Sequence, residues 1–259
     1  MISLLSAAKE YGSEFKGIRV STRPDCINDE ILSILKEFGV TSVELGAQSM
    51  CDEVLRLNKR GHNSYAVRSA SLLIKELGFS LGLQMMTGLY GSNDDLDIYT
   101  AQEFIKLKPD TVRIYPTVIL KDTLLAKLYS SGEYHPQTVD AAADLCAKLL
   151  VMFEDNGISV IRAGLHSSET MEENIIAGAY HPAFRELCEN RIYLNKTINI
   201  LKDNLIRAGK VNAFIAPSAI SKFIGQKKSN IHKLNEMGYD VKIIPDDNLT
   251  NRQIIIQEG

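Results

Sequence analysis

Three polar clusters in this chain have the composition and spacing for chemistry. In Ser21-Thr22-Arg23-Pro24-Asp25 an arginine follows a β-rich run and is held by a proline. Its planar guanidinium suits a carboxylate or a phosphate, although an Arg23–Asp25 turn with a purely structural role fits the same residues. In Glu44-Leu45-Gly46-Ala47-Gln48-Ser49, Gly46 lets another group approach the backbone, and the amide of Gln48 can both donate and accept. Lys59-Arg60-Gly61-His62 adds a second guanidinium; His62, alone in a loop, reads as a surface residue rather than a catalytic base. The cysteines at 26, 51, 146 and 188 form no C-x-x-C pair, so neither a zinc site nor a dithiol redox centre is expected, and no metal ligand set is assigned.

These residues must be carried by repeated strand–helix units. Gly17–Ser21, Thr41–Leu45, Phe79–Met86, Thr111–Pro116 and Ile158–Ala163 read as strands. Between them, 28–38, 64–77, 94–107 and 137–155 carry apolar residues at helical spacing. Asn28 is the expected N-cap of the first helix and Gly39 its C′ residue. Strands separated by helices of this length pair in parallel. Without a G-x-G-x-x-G turn, the pattern favours a barrel or partial barrel over a dinucleotide fold. The functional edge is then the C-terminal ends of the strands, which carry Arg23, Asp25, Gln48, Ser49, Gln84 and Thr117.

The composition is that of an ordinary globular chain: 259 residues, 45% hydrophobic, 24% charged, formal net charge −3. Collagen-like and disordered classes are excluded, and bulk attraction to nucleic acid or membrane is not implied. No run reaches the roughly 18 apolar residues of a membrane span. The N-terminus lacks a signal-peptide pattern, and a cytoplasmic location is expected.

Several of these motifs, taken in order, resemble the radical SAM superfamily. GIRVSTRPD, ELGAQSM, RGH, LGLQMMTGLYG, VRIYPTVIL and SGEY cover residues 17–134 and are similar to the branch that includes the elongator catalytic subunit and the oxygen-independent coproporphyrinogen oxidases. HPAFREL resembles a downstream segment of bacterial members. The resemblance implies a partial (β/α)6 barrel that binds S-adenosylmethionine at the strand C-termini, for cleavage to a 5′-deoxyadenosyl radical. It places Gln48 at the ribose and Arg60 at the methionyl carboxylate. Ser21 and Gln84 match positions where relatives carry other polar groups, and both depart from the acidic residue of the porphyrinogen oxidases. Arg23 and Tyr115 line the same mouth. The family's [4Fe-4S] cluster needs C-x3-C-x2-C, which this sequence does not contain. The chain is therefore expected to begin inside the barrel, with the N-terminal strands missing, and the cluster is not expected on this chain alone.

Toward the C-terminus the pattern changes. SAISKFIGQKKSNIHKLNEMGYDVKIIPD reads as helix, tight turn, helix, strand, with a basic cluster at Lys222, Lys227, Lys228, His232 and Lys233. FIGQKKSNI resembles the I-G-x-x-G-x-x-I core of KH domains, with Lys228 in place of the second glycine. That resemblance implies RNA contact through Gly225, Gln226, Lys227 and Lys228; a helix–turn–helix with solvated lysines fits equally. The expected architecture is α/β: a partial barrel over 1–165, a helical connecting segment over 166–204, and a small KH-like α+β domain over 205–259. The expected function is S-adenosylmethionine-dependent radical chemistry in the intact family member, with RNA as substrate; this chain, read as N-terminally truncated or else as a degenerate member without radical chemistry, is not expected to perform it unaided. The alternative is a non-catalytic RNA-binding protein using the KH-like unit, and the oligomeric state is left open.

Overall fold

The computed structural model describes residues 2–11, 15–166 and 169–259. Parts of the N-terminal stretch and of the connecting segment thus lie outside the described residues. Contacts divide the chain into two units, residues 1–142 with 149–182, and residues 143–148 with 183–259.

The first unit opens with α1 (Ile2–Glu10), followed by β1 (Ile18–Thr22), α2 (Asp29–Glu37), β2 (Val40–Gln48), α3 (Asp52–Leu57) and α4 (Ser64–Glu76). It continues through β3 (Ser80–Thr87), α5 (Asp94–Leu107), β4 (Thr111–Pro116), β5 (Val118–Leu120) and α6 (Leu124–Ser130). Next come α7 (Val139–Asp155), whose residues 143–148 are counted with the second unit, then β6 (Ser159–Ala163), α8 (Glu169–Glu172) and β7 (Ile175–Gly178). The crossover helices α2, α4 and α5 start alike. Asn28, Asn63 and Asn93 each accept, at 2.9 Å, the backbone N–H three residues on, which satisfies a donor that the helix cannot. Gly39 ends α2 at φ +76°, as the sequence implies.

Five strands form one parallel sheet in the order β1-β2-β3-β4-β6. Neighbours in the sheet follow one another in sequence, so right-handed crossovers put the helices on one face. Alternation along β3 shows the result: Leu81, Leu83 and Met85 are fully buried, while Gln84 and Met86 are half-exposed. Leu32 and Leu35 of α2, Val67 and Ile74 of α4, and Phe104 of α5 complete the buried layer. This is the partial barrel that the strand–helix pattern implies. β5 and β7 form a separate antiparallel pair, which the sequence does not announce. Ile175–Gly178 has four residues and no alternation, and its pairing alone makes it a strand.

The second unit contains α9 (Phe184–Asp203), β8 (Gly209–Ile215), α10 (Ile220–Ile224), α11 (Ser229–Glu236), β9 (Tyr239–Pro245) and β10 (Ile254–Glu258). Its sheet runs β10-β8-β9, with β8 parallel to β9 and antiparallel to β10. Val211, Ala213 and Ile215 pack with Tyr193, Phe223 and Leu234 in one apolar cluster.

Candidate cofactor site at the C-terminal edge of the sheet

The edge is shaped by a break in β2. Register with β3 shifts between Leu45 and Gln48, and Gln48 takes φ +68°, unusual for a non-glycine residue. Its side chain lies over Gly46, where a Cβ would come within 2.8 Å of Gln48 Nε2. Gln84 Nε2 donates to Gln48 Oε1 at 3.2 Å, so the two amides predicted at the site are joined. Strain held by a specific contact at a strand end is typical of binding positions.

The loop after α3 brings up Arg60 and His62. Arg60 is half-buried, and among the described residues its guanidinium has no hydrogen bond or ion pair. Burial, then repulsion from Arg23, lowers its pKa. A desolvated cation without a counter-charge is costly unless a ligand supplies one. His62 Nε2 lies 3.0 Å from the Ala47 carbonyl, which can only accept, so Nε2 carries the hydrogen. Its buried Nδ1 has no hydrogen-bond partner among the described residues. Arg60 and His62 line a cavity of about 530 Å³ with Asp25, Asp52, Lys59 and Asn63.

Arg23 is placed differently. It donates to Asp25 in a bidentate pair, with Nε 2.9 Å from Oδ1, and its guanidinium covers Gly61. The hydrogen bond from Arg23 holds the Asp25 carboxyl below its ordinary range. The structural reading of this turn therefore accounts for the polar contacts of Arg23. Ser21 lies one alternation back on β1 and donates to Glu44 Oε1 at 3.2 Å. Ser49 and Thr117 serve the scaffold: Ser49 Oγ meets Thr100 Oγ1 at 3.3 Å, and Thr117 Oγ1 donates to the Thr87 carbonyl at 2.7 Å.

The open face of the sheet holds residues that sequence reasoning did not single out as a site. Glu44, 2% exposed, faces Arg113 Nε at 2.9 Å, an ion-pair contact out of line for a hydrogen bond, and Arg19 Nη1 at 3.7 Å. Arg113 Nη1 also donates to the Tyr115 hydroxyl at 3.4 Å. Polar residues at alternate positions of GIRVS, TSVEL and TVRIYP were the available signal. The β3–α5 loop is pinned by Asp97, which accepts from Gly88 N at 2.8 Å and Ser92 Oγ at 2.6 Å. Burial pushes its carboxyl up to about 6.

The sequence matches the Radical SAM superfamily over residues 2–101 and the Radical_SAM C-terminal domain over residues 109–194. The chain belongs to the radical SAM superfamily. Elongator complex protein 3 of Schizosaccharomyces pombe is 33% identical over 139 residues, 52% of this chain and 26% of that protein. A tRNA uridine(34) acetyltransferase of Methanocaldococcus infernus is 33% identical over 132 residues, 49% of this chain and 24% of that protein. The chain thus spans about a quarter of the length of these curated relatives. The structure of the archaeal Methanocaldococcus infernus Elp3 with an N-terminal deletion superposes with a TM-score of 0.59 at 24% identity, over 74% of this chain and 42% of that one. It shares the fold. These relatives place the chain on the elongator-like branch.

The superfamily implies S-adenosylmethionine and a [4Fe-4S] cluster. The unpaired guanidinium of Arg60 and the joined amides of Gln48 and Gln84 fit a ligand with a carboxylate and hydroxyls. The cysteines do not fit the cluster. Cys26 is exposed, Cys51 is half-buried, and Cys146 and Cys188 are buried in the second unit. Among the described residues no three metal-ligating side chains come together.

In the second unit, Gly225, Gln226, Lys227 and Lys228 form a turn between α10 and α11. Lys227 and Lys228 are exposed and take φ +52° and +61°. Gly225 sits at φ +79°, and a Cβ there would lie 2.6 Å from Ser229 Oγ. Buried Asn230 donates to the carbonyls of Asn190 and Phe223 at 2.9 and 3.0 Å, fixing the turn from beneath. Among the described residues, no helix is long and apolar enough to cross a membrane.

Proposed function

We propose that this chain binds S-adenosylmethionine at the C-terminal edge of its five-stranded sheet and serves radical modification of RNA, with transfer RNA as the substrate class and with the electron for cleavage supplied by a [4Fe-4S] cluster held by residues other than the four cysteines of this chain. The observation that carries this reading is the half-buried Arg60 with no counter-ion. A methionyl carboxylate supplies the missing charge through two parallel hydrogen bonds. Gln48, steadied by Gln84, meets the ribose hydroxyls with an amide able to donate and accept. Ser21 and Arg23 flank the same mouth, Arg23 holding Asp25 in place. S-adenosylmethionine in this superfamily supplies a 5′-deoxyadenosyl radical. Curated relatives named as tRNA uridine(34) acetyltransferases support the choice of transfer RNA, and a cytoplasmic location accords with it. The test is nucleoside mass spectrometry of transfer RNA from cells with and without the gene. Loss of a modified nucleoside on deletion is expected; identical inventories overturn the substrate class.

A second reading is RNA binding without catalysis, through Gly225–Lys228. It is favoured by two exposed lysines in a turn whose backbone is fixed from below. In filter binding, Lys227→Ala with Lys228→Ala should lower the salt slope by about 2. RNA affinity unchanged by the pair would dismiss this surface.

A further inference from the structure

Arg162 on β6 is the register partner of Arg113 on β4. Past a register shift at Val112/Arg113, Ile114 pairs with Ala163, both buried, so the two partly exposed arginines one position back share the open face of neighbouring strands. Like charges in that relation destabilise a sheet. Arg113 has Glu44 at 2.9 Å, but that carboxylate also serves Arg19 at 3.7 Å. Arg162 has no hydrogen bond or ion pair among the described residues. Both arginines are partly exposed. The open face therefore carries three guanidiniums in and beside one carboxylate, with the excess charge at the Arg113–Arg162 pair.

We propose that the Arg113–Arg162 pair is a phosphate-binding site that holds an anionic group of the substrate. Two planar forks on neighbouring strands match the several acceptor oxygens of a phosphate better than a single carboxylate needs. Glu44 is a positioning residue: buried, it holds the Arg113 guanidinium by an ion-pair contact, while Arg162 is left free to close on the ligand. The repulsion between the two arginines is relieved when the anion binds.

This inference rests on the proposed function only in assigning the anion to the substrate. The experiment is calorimetric titration of the full chain at low salt with inorganic phosphate and, separately, with a dinucleotide phosphodiester. Wild type should bind phosphate, and Arg162→Gln should weaken it about tenfold or more. Arg162→Lys should retain most of the affinity. Without anion, Arg162→Gln should melt above wild type, because it removes a like-charge contact; a merely structural arginine gives the opposite shift. Should Arg113→Gln fail to fold by leaving Glu44 short of a partner, Arg162→Gln still decides. Comparable binding of the dinucleotide assigns the anion to a nucleic-acid backbone, and binding of inorganic phosphate alone assigns it to a phosphate monoester. No phosphate binding by wild type, or equal binding by Arg162→Gln, overturns the proposal. Binding of S-adenosylmethionine is measured in parallel: its loss with phosphate binding intact defeats the functional reading and not this site, and the reverse result defeats this site alone.

Discussion

The two sheets of this chain treat their exposed faces differently. In the three-stranded sheet, Lys210 on β8 is in register with Asp240 on β9, opposite charges on neighbouring strands. In the five-stranded sheet, Arg113 is in register with Arg162. The first arrangement is what a solvated face adopts for stability. The second lowers stability, and a buried carboxylate shared between two arginines only partly offsets it. The difference separates a sheet with the charge pattern of a scaffold from a sheet whose open face carries the proposed anion site. In the second unit the candidate surface is instead a turn, where strain sits in the backbone at Gly225, Lys227 and Lys228.

The two units should differ most in their response to damage at the apolar cluster. Phe223→Ala removes a fully buried ring from the second unit and should cost about 3–4 kcal/mol there. In hydrogen exchange, amides of β8 should then exchange faster while those of β3 keep their protection. Equal acceleration in both would mean that the units unfold as one, and the contrast between them would lose its energetic content.

A pH titration probes the first unit alone. The folded pKa of Asp97 is about 6, above the ordinary carboxylate value, so the native state binds the extra proton between about pH 4 and pH 6. Stability contributed by this group is full below that window and falls as pH rises through it, by about 3 kcal/mol. Asp97→Asn should flatten the slope in denaturant melts at stepped pH; an unchanged slope would assign it elsewhere.

The smallest expected effect sharpens the contrast at the turn. Lys228 sits at φ +61°, where glycine carries no Cβ penalty. Lys228→Gly should raise the stability of the second unit by about 0.5 kcal/mol or leave it unchanged, while weakening any RNA binding. A clear loss of stability would show that the Lys228 side chain has a structural role.

Much of the scaffold is legible in the sequence because it depends on local rules. Helical spacing places α2, α4 and α5 within a residue or two, and Asn28 caps α2 as its type implies. Strand–helix alternation gives the parallel sheet. Gln48, Gln84 and Arg60 are visible as polar residues at strand ends and in the loop after α3. The Glu44–Arg113–Arg162 face is not, since it depends on register between strands far apart in sequence. The β5–β7 pair is hidden for the same reason. Arg23 shows the limit from the other side: its type and place suggest a ligand, and its partner two residues on satisfies it.

The Arg60 guanidinium has no partner among the described residues, and the proposed function gives it a carboxylate. Calorimetric titration of wild type and Arg60→Gln with S-adenosylmethionine and with methylthioadenosine, which lacks the carboxylate, tests it directly. Wild type should bind S-adenosylmethionine, and Arg60→Gln should weaken that binding about tenfold or more while leaving methylthioadenosine unaffected. Equal binding of S-adenosylmethionine by both proteins, or an equal loss for both ligands, would contradict the account.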